Sequence, residues 1–425
     1  MLNAQVPSML DADLKNKIVL VRLDHNVVKK GKIKDSMRID ATLSTLRSIF
    51  KQGGLPILMS HVGRPYDKKT GIITIDQDDA VEPIVYYLEE KLQLKGYIPQ
   101  CHADGDDGIK DLEPIAIGVE KLKNKEVDFV YLPNTRWFKG EEAKDISADD
   151  LAQKLAAFAD VFINDAFGSW QAHVSTLGVT RYLPSYAGLL MQKEIAHLNK
   201  IFDPDRPFLA IVAGAKFDTK IGPLSSLIKI CDRLVLGGVI YNAYLAVKHD
   251  IRIKGVGSED IAMAHKFLSD VKGYEDRIVE LPFIIESDSI ENNESWRVRD
   301  IKDLKAGTEL NFVLDVSPKS FEIDKIKSIF ASSAAIFVNA VMGYTLLFVD
   351  GTKSMYQLID ANPAAAKLFG GGDTIQEFKE LLPEVFAKAV DDPRYYFFTG
   401  GGAILDAIEQ GSPYKMKPVE ALIKS

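Results

Sequence analysis

Short apolar runs alternate along the chain with longer stretches in which apolar residues recur at helical spacing. Runs of this kind are typical of strands buried on both faces of a parallel sheet. They lie at residues 18–23, 55–60, 128–132, 160–163, 207–212, 233–236, 310–314, 335–338, 364–369 and 395–398. Helical spacing is clearest at residues 40–52, 81–92, 151–158 and 185–202. Because the two patterns alternate, the sequence predicts an α/β protein with parallel sheets between layers of helices.

The length of the chain predicts more than one domain. A chain of 425 residues exceeds the size at which a single hydrophobic core stops growing. The periodic stretch after Pro184, at residues 185–203, is interpreted as a long helix that bridges two domains. Residues 1–184 would then form the first domain, and residues 204–410 the second.

Polar side chains follow the strands of the first domain. They are Asp24, Asn26, Arg38, His61, Arg64 and Arg136. Because the carboxyl ends of parallel strands meet at one edge of a sheet, these side chains should converge where ligands bind. Several arginines and a histidine at one edge are suited to phosphate or carboxylate. The alternative for any single arginine is a solvated surface charge.

Three glycines interrupt the pattern at residues 370–372, between an apolar run and a helical stretch at residues 375–382. Glycines let backbone N–H groups approach a phosphate closely, and a helix start adds the positive end of its dipole. Asp373 is suited to Mg²⁺, and Thr374 to a phosphate oxygen. The alternative is a tight turn followed by an ordinary helix cap.

Glycines also follow other strands of the second domain, at Gly214, at residues 237–238 and at residues 400–402. Lys216 and Lys220 are four residues apart, so they share a face if a helix starts near Lys216. They would then act as point charges on neighbouring phosphates. The alternative is a pair of exposed lysines at a helix start, where the dipole disfavours them. Together these features predict a nucleotide phosphate site that is neither a P-loop nor a dinucleotide-binding fingerprint.

The composition restricts the partners. A formal net charge of −8 argues against general nucleic-acid binding, so an anionic substrate must meet a local basic patch. No apolar run is long enough for a membrane span, and no secretory signal is visible, so a cytoplasmic protein is expected. Cys101 and Cys231 are far apart in sequence and are expected to be reduced thiols rather than zinc ligands.

Eight motifs, taken in order, resemble those of the phosphoglycerate kinase family almost from end to end. Among them are His-Val-Gly-Arg-Pro, Asn-Asp-Ala-Phe-Gly and Gly-Gly-Gly-Asp-Thr. The motifs lie at residues 21–26, 38, 61–65, 134–136, 164–168, 214–216 with 220, 370–374 and 399–403. The resemblance implies two Rossmann-like, three-layer domains with parallel sheets, joined by a long helix and a hinge. It also implies that residues 411–425 return to the first domain.

The resemblance implies a monomeric enzyme that binds 3-phosphoglycerate or 1,3-bisphosphoglycerate on the first domain and ATP or ADP with Mg²⁺ on the second. Arg38 and Lys216 are the implied catalytic residues, and Asp373 the implied metal ligand. The implied glycerate site consists of Asp24, Asn26, Arg38, His61, Arg64, Arg136 and His173. The implied nucleotide site consists of Gly214, Lys216, Lys220, Gly237, Gly238, Asn339, Gly371, Gly372, Asp373 and Thr374.

Two segments depart from the family pattern. Residues 169–173 are one residue shorter than usual, and Gln171 replaces a substrate-binding arginine. Residues 339–346 lack the glutamate expected on the ribose hydroxyls, and the segment up to Gly351 is two residues short.

The hypothesis is reversible phosphoryl transfer between an acyl phosphate and ADP, with closure of the two domains to exclude water. One alternative is a diverged, non-catalytic paralogue that binds a nucleotide or a phosphorylated ligand. Another is a kinase with an altered nucleotide donor. The presence of Arg38, Lys216 and Asp373 favours the active kinase, because these residues would supply the catalysis.

Overall fold

The computed structural model describes residues 5–215 and 220–424. It divides into two compact units. Unit 1 consists of Met1–Ala196 with Tyr414–Ser425, and unit 2 of His197–Pro413. No helix in the described part of the chain is long and apolar enough to cross a membrane.

Unit 1 is built on a six-stranded sheet in the order β5-β6-β4-β1-β7-β8, and all of its strands are parallel. A small antiparallel pair, β2-β3, follows β1. The strands are β1 (Ile18–Arg22), β2 (Val28–Lys29), β3 (Lys32–Ile33), β4 (Leu55–Met59), β5 (Gly96–Tyr97), β6 (Phe129–Tyr131), β7 (Val161–Asn164) and β8 (Ser185–Ala187). The helices are α1 (Met37–Lys51), α2 (Glu82–Leu92), α3 (Glu113–Lys123) and α4 (Ile146–Ala156). Helix α5 (Leu189–Phe202) begins in unit 1 and ends in unit 2.

The apolar pattern explains the centre of unit 1. Strand β1 is buried along its whole length and lies between β4 and β7, inside the sheet. Helix α1 buries Ile39, Leu46 and Ile49 on one face, as its periodicity predicts. It starts at Met37, three residues earlier than predicted, because the Asp35 carboxylate accepts the Met37 N–H at 2.7 Å.

The predicted start of the bridging helix at residue 185 is wrong. Residues Ser185–Ala187 form strand β8, which pairs with β7. Helix α5 begins only at Leu189, where the Asp165 carboxylate accepts the Met191 N–H at 3.0 Å. Three residues that helical periodicity alone assigned to the helix therefore form a strand, because they pair with β7.

Unit 2 contains a parallel six-stranded sheet in the order β12-β10-β9-β16-β17-β18 and a mixed four-stranded sheet in the order β11-β15-β13-β14. The strands are β9 (Phe208–Gly214), β10 (Arg233–Gly237), β11 (Arg252–Lys254), β12 (Ile278–Val279), β13 (Phe283–Ser287), β14 (Trp296–Asp300), β15 (Glu309–Val316), β16 (Ala335–Asn339), β17 (Ala366–Phe369) and β18 (Tyr395–Phe397).

The helices of unit 2 alternate along the chain with strands of both sheets. They are α6 (Ile221–Ile230), α7 (Gly238–Lys248), α8 (Ser258–Asp270), α9 (Pro318–Glu322), α10 (Asp324–Ser332), α11 (Asp350–Asp360), α12 (Gly372–Leu381), α13 (Pro383–Ala389) and α14 (Gly401–Gln410). The final helix, α15 (Lys417–Lys424), belongs to unit 1 and contacts β8. The predicted α/β class with parallel sheets is confirmed.

The mixed sheet is a feature that the apolar pattern did not predict. Strand β15 contains the predicted strand at residues 310–314 but pairs with β11 and β13, outside the parallel sheet. Two other strands of the mixed sheet, β13 and β14, are joined by ion pairs. The buried carboxylate of Glu286 on β13 lies 2.6 Å from Arg297 and 2.5 Å from Arg299, both on β14. A buried carboxylate with two guanidinium partners replaces the apolar contacts that the pattern detects.

A buried histidine ties β1, α1 and β6 together. His25 Nε2 lies 2.9 Å from Thr42 Oγ1, and His25 Nδ1 lies 3.1 Å from the Tyr131 hydroxyl. Thr42 donates its own proton to the Ile39 carbonyl, so it accepts from His25 Nε2–H. Burial, with a smaller effect of Arg22, lowers the pKa of His25 from 6.5 to about 3.

We expect Gly188→Ala to lower the free energy of unfolding by about 1–3 kcal/mol. A methyl group at this position would lie 2.2 Å from Asp165 Oδ1, the atom that caps α5. In the control Gly178→Ala, the nearest side-chain atoms lie at 3.4 Å, which is ordinary contact. Urea unfolding measures both variants, and equal midpoints would contradict the steric argument.

We expect His25→Gln to flatten the pH dependence of stability. Between pH 3 and 6.5 the unfolded chain binds a proton at His25 that the folded protein does not, so this contribution to stability is lost as the pH falls. The difference in unfolding free energy between wild type and variant should change by about 1.4 kcal/mol per pH unit from pH 4 to 6. The control is His265→Gln, which removes an exposed imidazole on α8. Equal slopes for the two variants would contradict the burial argument.

Candidate active site

The carboxyl edge of the unit 1 sheet gathers the predicted basic residues. His61 follows β4 and is 9% exposed. Its Nδ1 accepts a hydrogen bond of 2.9 Å from Arg22 Nη2, at the end of the neighbouring strand β1. Arg38, in the first turn of α1, forms an ion pair of 3.3 Å with Asp24, which follows β1. The sheet thus places residues that are far apart in sequence beside each other, as the strand-end rule requires.

Two asparagines fix the loop that follows His61. Asn26 Oδ1 accepts the Gly63 N–H at 3.0 Å. Asn134 is fully buried; it accepts the Val62 N–H at 3.0 Å and donates to the Val62 carbonyl at 2.7 Å. Both amides therefore act on the backbone of this loop.

Arg136 and Arg64 differ in how firmly they are held. Arg136 donates to the Gly63 carbonyl, and its Nε lies 2.6 Å from Glu142 Oε1. Arg64 is exposed one residue after Gly63 and has no ion pair with a described residue. One guanidinium is thus pre-positioned, whereas the other is open to solvent.

The histidines of the site are neutral. Burial, followed by the positive charges of Arg22 and Arg136, keeps the pKa of His61 well below its usual value. Burial and Arg136 lower the pKa of His173 to about 4. Both histidines therefore offer hydrogen bonds without charge at neutral pH, and the positive charge at this edge comes from the arginines.

Sequence reasoning missed three buried residues behind His61. They are Arg22, Ser175 and Glu141, which are 0%, 0% and 2% exposed. Arg22 Nε donates to Ser175 Oγ at 2.8 Å, and the Ser175 hydroxyl donates to Glu141 at 2.5 Å. The available signal was the charged Arg22 within the apolar run of residues 18–23, because a buried charge requires a partner.

At the carboxyl edge of the parallel sheet of unit 2, hydrogen bonds link three neighbouring strand ends. Lys220 Nζ donates to Asn339 Oδ1 at 2.7 Å and also to the Ala213 carbonyl. Asn339 Nδ2 donates to the Gly370 carbonyl at 2.8 Å. The ends of β9, β16 and β17 are thereby connected by one amide and one ammonium group.

Glycines let the surrounding backbones approach each other. Gly371 has φ of +109°, and a Cβ there would lie 3.0 Å from Asn339 Nδ2. A Cβ on Gly401 would lie 2.6 Å from Gly371 Cα. Gly238 has φ of +63°, and a Cβ there would lie 2.8 Å from the Gly214 carbonyl oxygen. Larger residues would push these strand ends apart.

Two helices start at this edge with glycine caps. Helix α7 is capped by Gly237 and helix α12 by Gly371. The first backbone N–H groups of a helix have no partner within it and carry the positive end of the dipole, which is the arrangement that binds phosphates. The predicted strand, glycine turn and helix are therefore present, and β17 begins at Ala366, two residues later than predicted.

The first turn of α12 holds the predicted acid and hydroxyl. Asp373 is exposed, whereas Thr374 is buried and its carbonyl accepts the Tyr356 hydroxyl at 2.9 Å. Mg²⁺ in nucleotide sites is held by one or two carboxylates together with phosphate oxygens and water. Asp373, a single exposed carboxylate beside the first N–H groups of α12, fits a site of this kind.

The two predicted lysines have different outcomes. Lys216 lies outside the described residues. Lys220 precedes helix α6, which begins at Ile221 and not near Lys216 as the shared-face argument required. Burial lowers the pKa of Lys220 to about 8, with Asp373 acting in the opposite direction. Lys220 therefore keeps its charge at neutral pH but is poorly solvated.

Both departures from the family pattern include exposed residues. Gln171 is exposed, and its carbonyl accepts the Thr176 hydroxyl at 2.7 Å. Leu346, in the segment that lacks the expected glutamate, is 79% exposed, and Tyr344 is 42% exposed. The segment after Asn339 thus presents apolar side chains where a carboxylate was expected.

Comparison with known proteins agrees with this geometry. The chain is similar to the structure of phosphoglycerate kinase from Coxiella burnetii, with 25% identity, 99% of each chain covered and a TM-score of 0.77. It is also similar to that of phosphoglycerate kinase from Pyrococcus horikoshii OT3, with 22% identity, 98% of each chain covered and a TM-score of 0.75, a likeness of fold. The family model described as phosphoglycerate kinase matches residues 9–411. The chain therefore belongs to the phosphoglycerate kinase family.

Proposed function

We propose that this kinase transfers a phosphoryl group reversibly between the acyl phosphate of 1,3-bisphosphoglycerate and ADP, as a monomer in cytoplasmic glycolysis and gluconeogenesis. Unit 1 binds the glycerate and unit 2 the nucleotide. The observation that carries the proposal is that one chain of this family holds both an arginine–histidine site and a glycine–lysine site at sheet edges. The first suits a small phosphorylated carboxylate and the second a polyphosphate.

In the glycerate site, neutral histidines and charged arginines both bind the substrate. Arg136 and Arg64 neutralise the substrate's negative charge, while His61 and His173 contribute hydrogen bonds. Asp24 accepts from a substrate hydroxyl and holds Arg38. Asn26 supports the loop after His61 and therefore acts on the substrate through the backbone of Gly63.

In the nucleotide site, backbone N–H groups of α7 and α12 bind phosphate oxygens, and Lys220 adds a positive charge. Asn339 holds Lys220 in place. Asp373 would hold Mg²⁺, which neutralises phosphate charge when it is bound. The glycines at 214, 237, 238, 371 and 372 keep side chains away from the phosphates.

Catalysis is proposed to depend on charge placement. The transition state of phosphoryl transfer spreads negative charge over three oxygens, so cations that meet it accelerate the reaction without covalent chemistry. Arg38 and Lys216 are the proposed cations. Because acyl phosphate and nucleotide must meet directly, the proposal includes a hinge closure that brings the two substrates together and excludes water.

We expect Arg38→Ala to lower kcat by on the order of a hundredfold or more, because it removes a charge that stabilises the transition state. A coupled assay with 3-phosphoglycerate and ATP measures this. The control is Arg47→Ala, an exposed arginine on the same helix, which should leave kcat unchanged. Near wild-type turnover of Arg38→Ala would overturn the assignment, and wild-type protein that bound Mg-ATP without turnover would favour the non-catalytic paralogue.

We expect Asp373→Asn to raise the Mg²⁺ concentration required for half-maximal turnover by about tenfold or more, since the amide carries no charge. Removal of Mg²⁺ with EDTA should abolish turnover of wild type. The control is Glu380→Gln, an exposed acid at the opposite end of α12. An unchanged Mg²⁺ requirement in Asp373→Asn would exclude this carboxylate as the ligand. A comparison of turnover with ATP, GTP and pyrophosphate as donors tests whether the altered segment near Leu346 changes the donor preference.

A further inference from the structure

We propose that Arg22 is a positioning residue that fixes His61 as the Nε2–H tautomer, and that Ser175 and Glu141 hold Arg22 for this purpose. The neutral imidazole then presents a single N–H donor to the anionic substrate. This inference rests on the proposed function for its consequence in binding, although the tautomer itself is a property of the free protein.

The tautomer follows from the chemistry of arginine. The guanidinium group has five N–H donors and no acceptor. Since Arg22 Nη2 lies 2.9 Å from His61 Nδ1, this nitrogen must accept through its lone pair. A neutral imidazole whose Nδ1 carries the lone pair has its proton on Nε2. Nε2–H is then the ring donor that Arg22 leaves available.

Arg22 cannot turn away from His61, because its other nitrogens are engaged. Nη1 donates to the Leu23 carbonyl, and Nε donates to Ser175 Oγ at 2.8 Å. The Arg22 side chain is fully buried, so water does not compete for these donors. The guanidinium plane is therefore fixed by three acceptors, one on the neighbouring residue Leu23 and two, on His61 and Ser175, that are distant in sequence.

Ser175 is in turn fixed by Glu141. The Ser175 hydroxyl donates to Glu141 Oε1 at 2.5 Å, and the Ser175 backbone N–H donates to Oε2 at 2.9 Å. Because its proton is used, Ser175 Oγ has only lone pairs to offer Arg22. Glu141 also places a carboxyl near the buried guanidinium: burial lowers the pKa of Arg22, and the negative form of Glu141 opposes that shift.

The proton location matters for an anion. A donor at Nε2 attracts a phosphate or carboxylate oxygen, whereas a lone pair there would repel it and leave that oxygen without a partner. The imidazolium form would also donate, but burial and the surrounding arginines oppose a positive charge on His61. Arg22 thus supplies the one neutral form that binds an anion.

The test is a long-range ¹H–¹⁵N NMR spectrum of the full chain with ¹⁵N-labelled histidine at pH 7.5. The His61 signals are assigned by their loss in His61→Gln. We expect a protonated-type shift for Nε2 and an unprotonated-type shift for Nδ1. The reverse pattern, or two protonated-type shifts, would overturn the inference.

Substitution of the positioning residues extends the test. In Arg22→Lys the buried charge is kept but the planar fork is lost, so we expect mixed tautomer signals and a KM for 3-phosphoglycerate about tenfold higher, with a smaller change in kcat. If that variant does not fold, Ser175→Ala decides, since it should produce the same changes to a smaller extent. The control Ser333→Ala removes a buried, hydrogen-bonded hydroxyl in unit 2 and should leave both readouts unchanged.

The two proposals fail in different ways. Wild-type protein with the Nε2–H tautomer but no turnover would contradict the proposed function and support the inference about Arg22. Normal turnover with unchanged tautomer and unchanged KM in folded Arg22→Lys and Ser175→Ala would overturn the inference and leave the proposed function intact.

Discussion

The parallel direction of the strands is the constraint on which both candidate sites depend. In each six-stranded sheet all carboxyl ends lie along one edge, so loops from distant parts of the sequence become neighbours. In unit 1 this places Asp24 beside Arg38 and Arg22 beside His61. In unit 2 it places Lys220 beside Asn339 and Gly370. An antiparallel strand in either sheet would carry its loop to the opposite edge.

Under the proposed function, the two edges would bind anions by different means. Unit 1 uses side chains, with guanidinium charge and neutral imidazoles held by buried hydrogen bonds. Unit 2 uses backbone, since glycines remove side chains and helix starts present their N–H groups. Side chains placed in this way would select a small substrate by shape and charge, whereas backbone N–H groups would bind phosphate oxygens without reading the rest of the ligand.

Much of this could be predicted from the sequence because apolar runs and strand ends are local signals. Asp24, His61 and Asn339 could be placed at one sheet edge or the other because each follows such a run. The role of Arg22 could not be predicted, because its partner Ser175 is 153 residues away and no local pattern joins them. The prediction that the helix starts at Ser185 was wrong because this residue pairs with β7, a strand that the local periodicity does not reveal. The mixed sheet could not be predicted because it contains ion pairs such as Glu286 with Arg297, which an apolar pattern does not detect.

The contacts of Lys220 have a consequence for affinity. Its ammonium group already rests against an amide oxygen and a carbonyl oxygen, and it has lost most of its hydration. A phosphate that takes the place of Asn339 would exchange a neutral acceptor for a charged one, while the cost of stripping water from the lysine has been met in folding. Part of the desolvation cost of binding a phosphate would thus be met by the folding free energy of the protein and would not reduce the affinity.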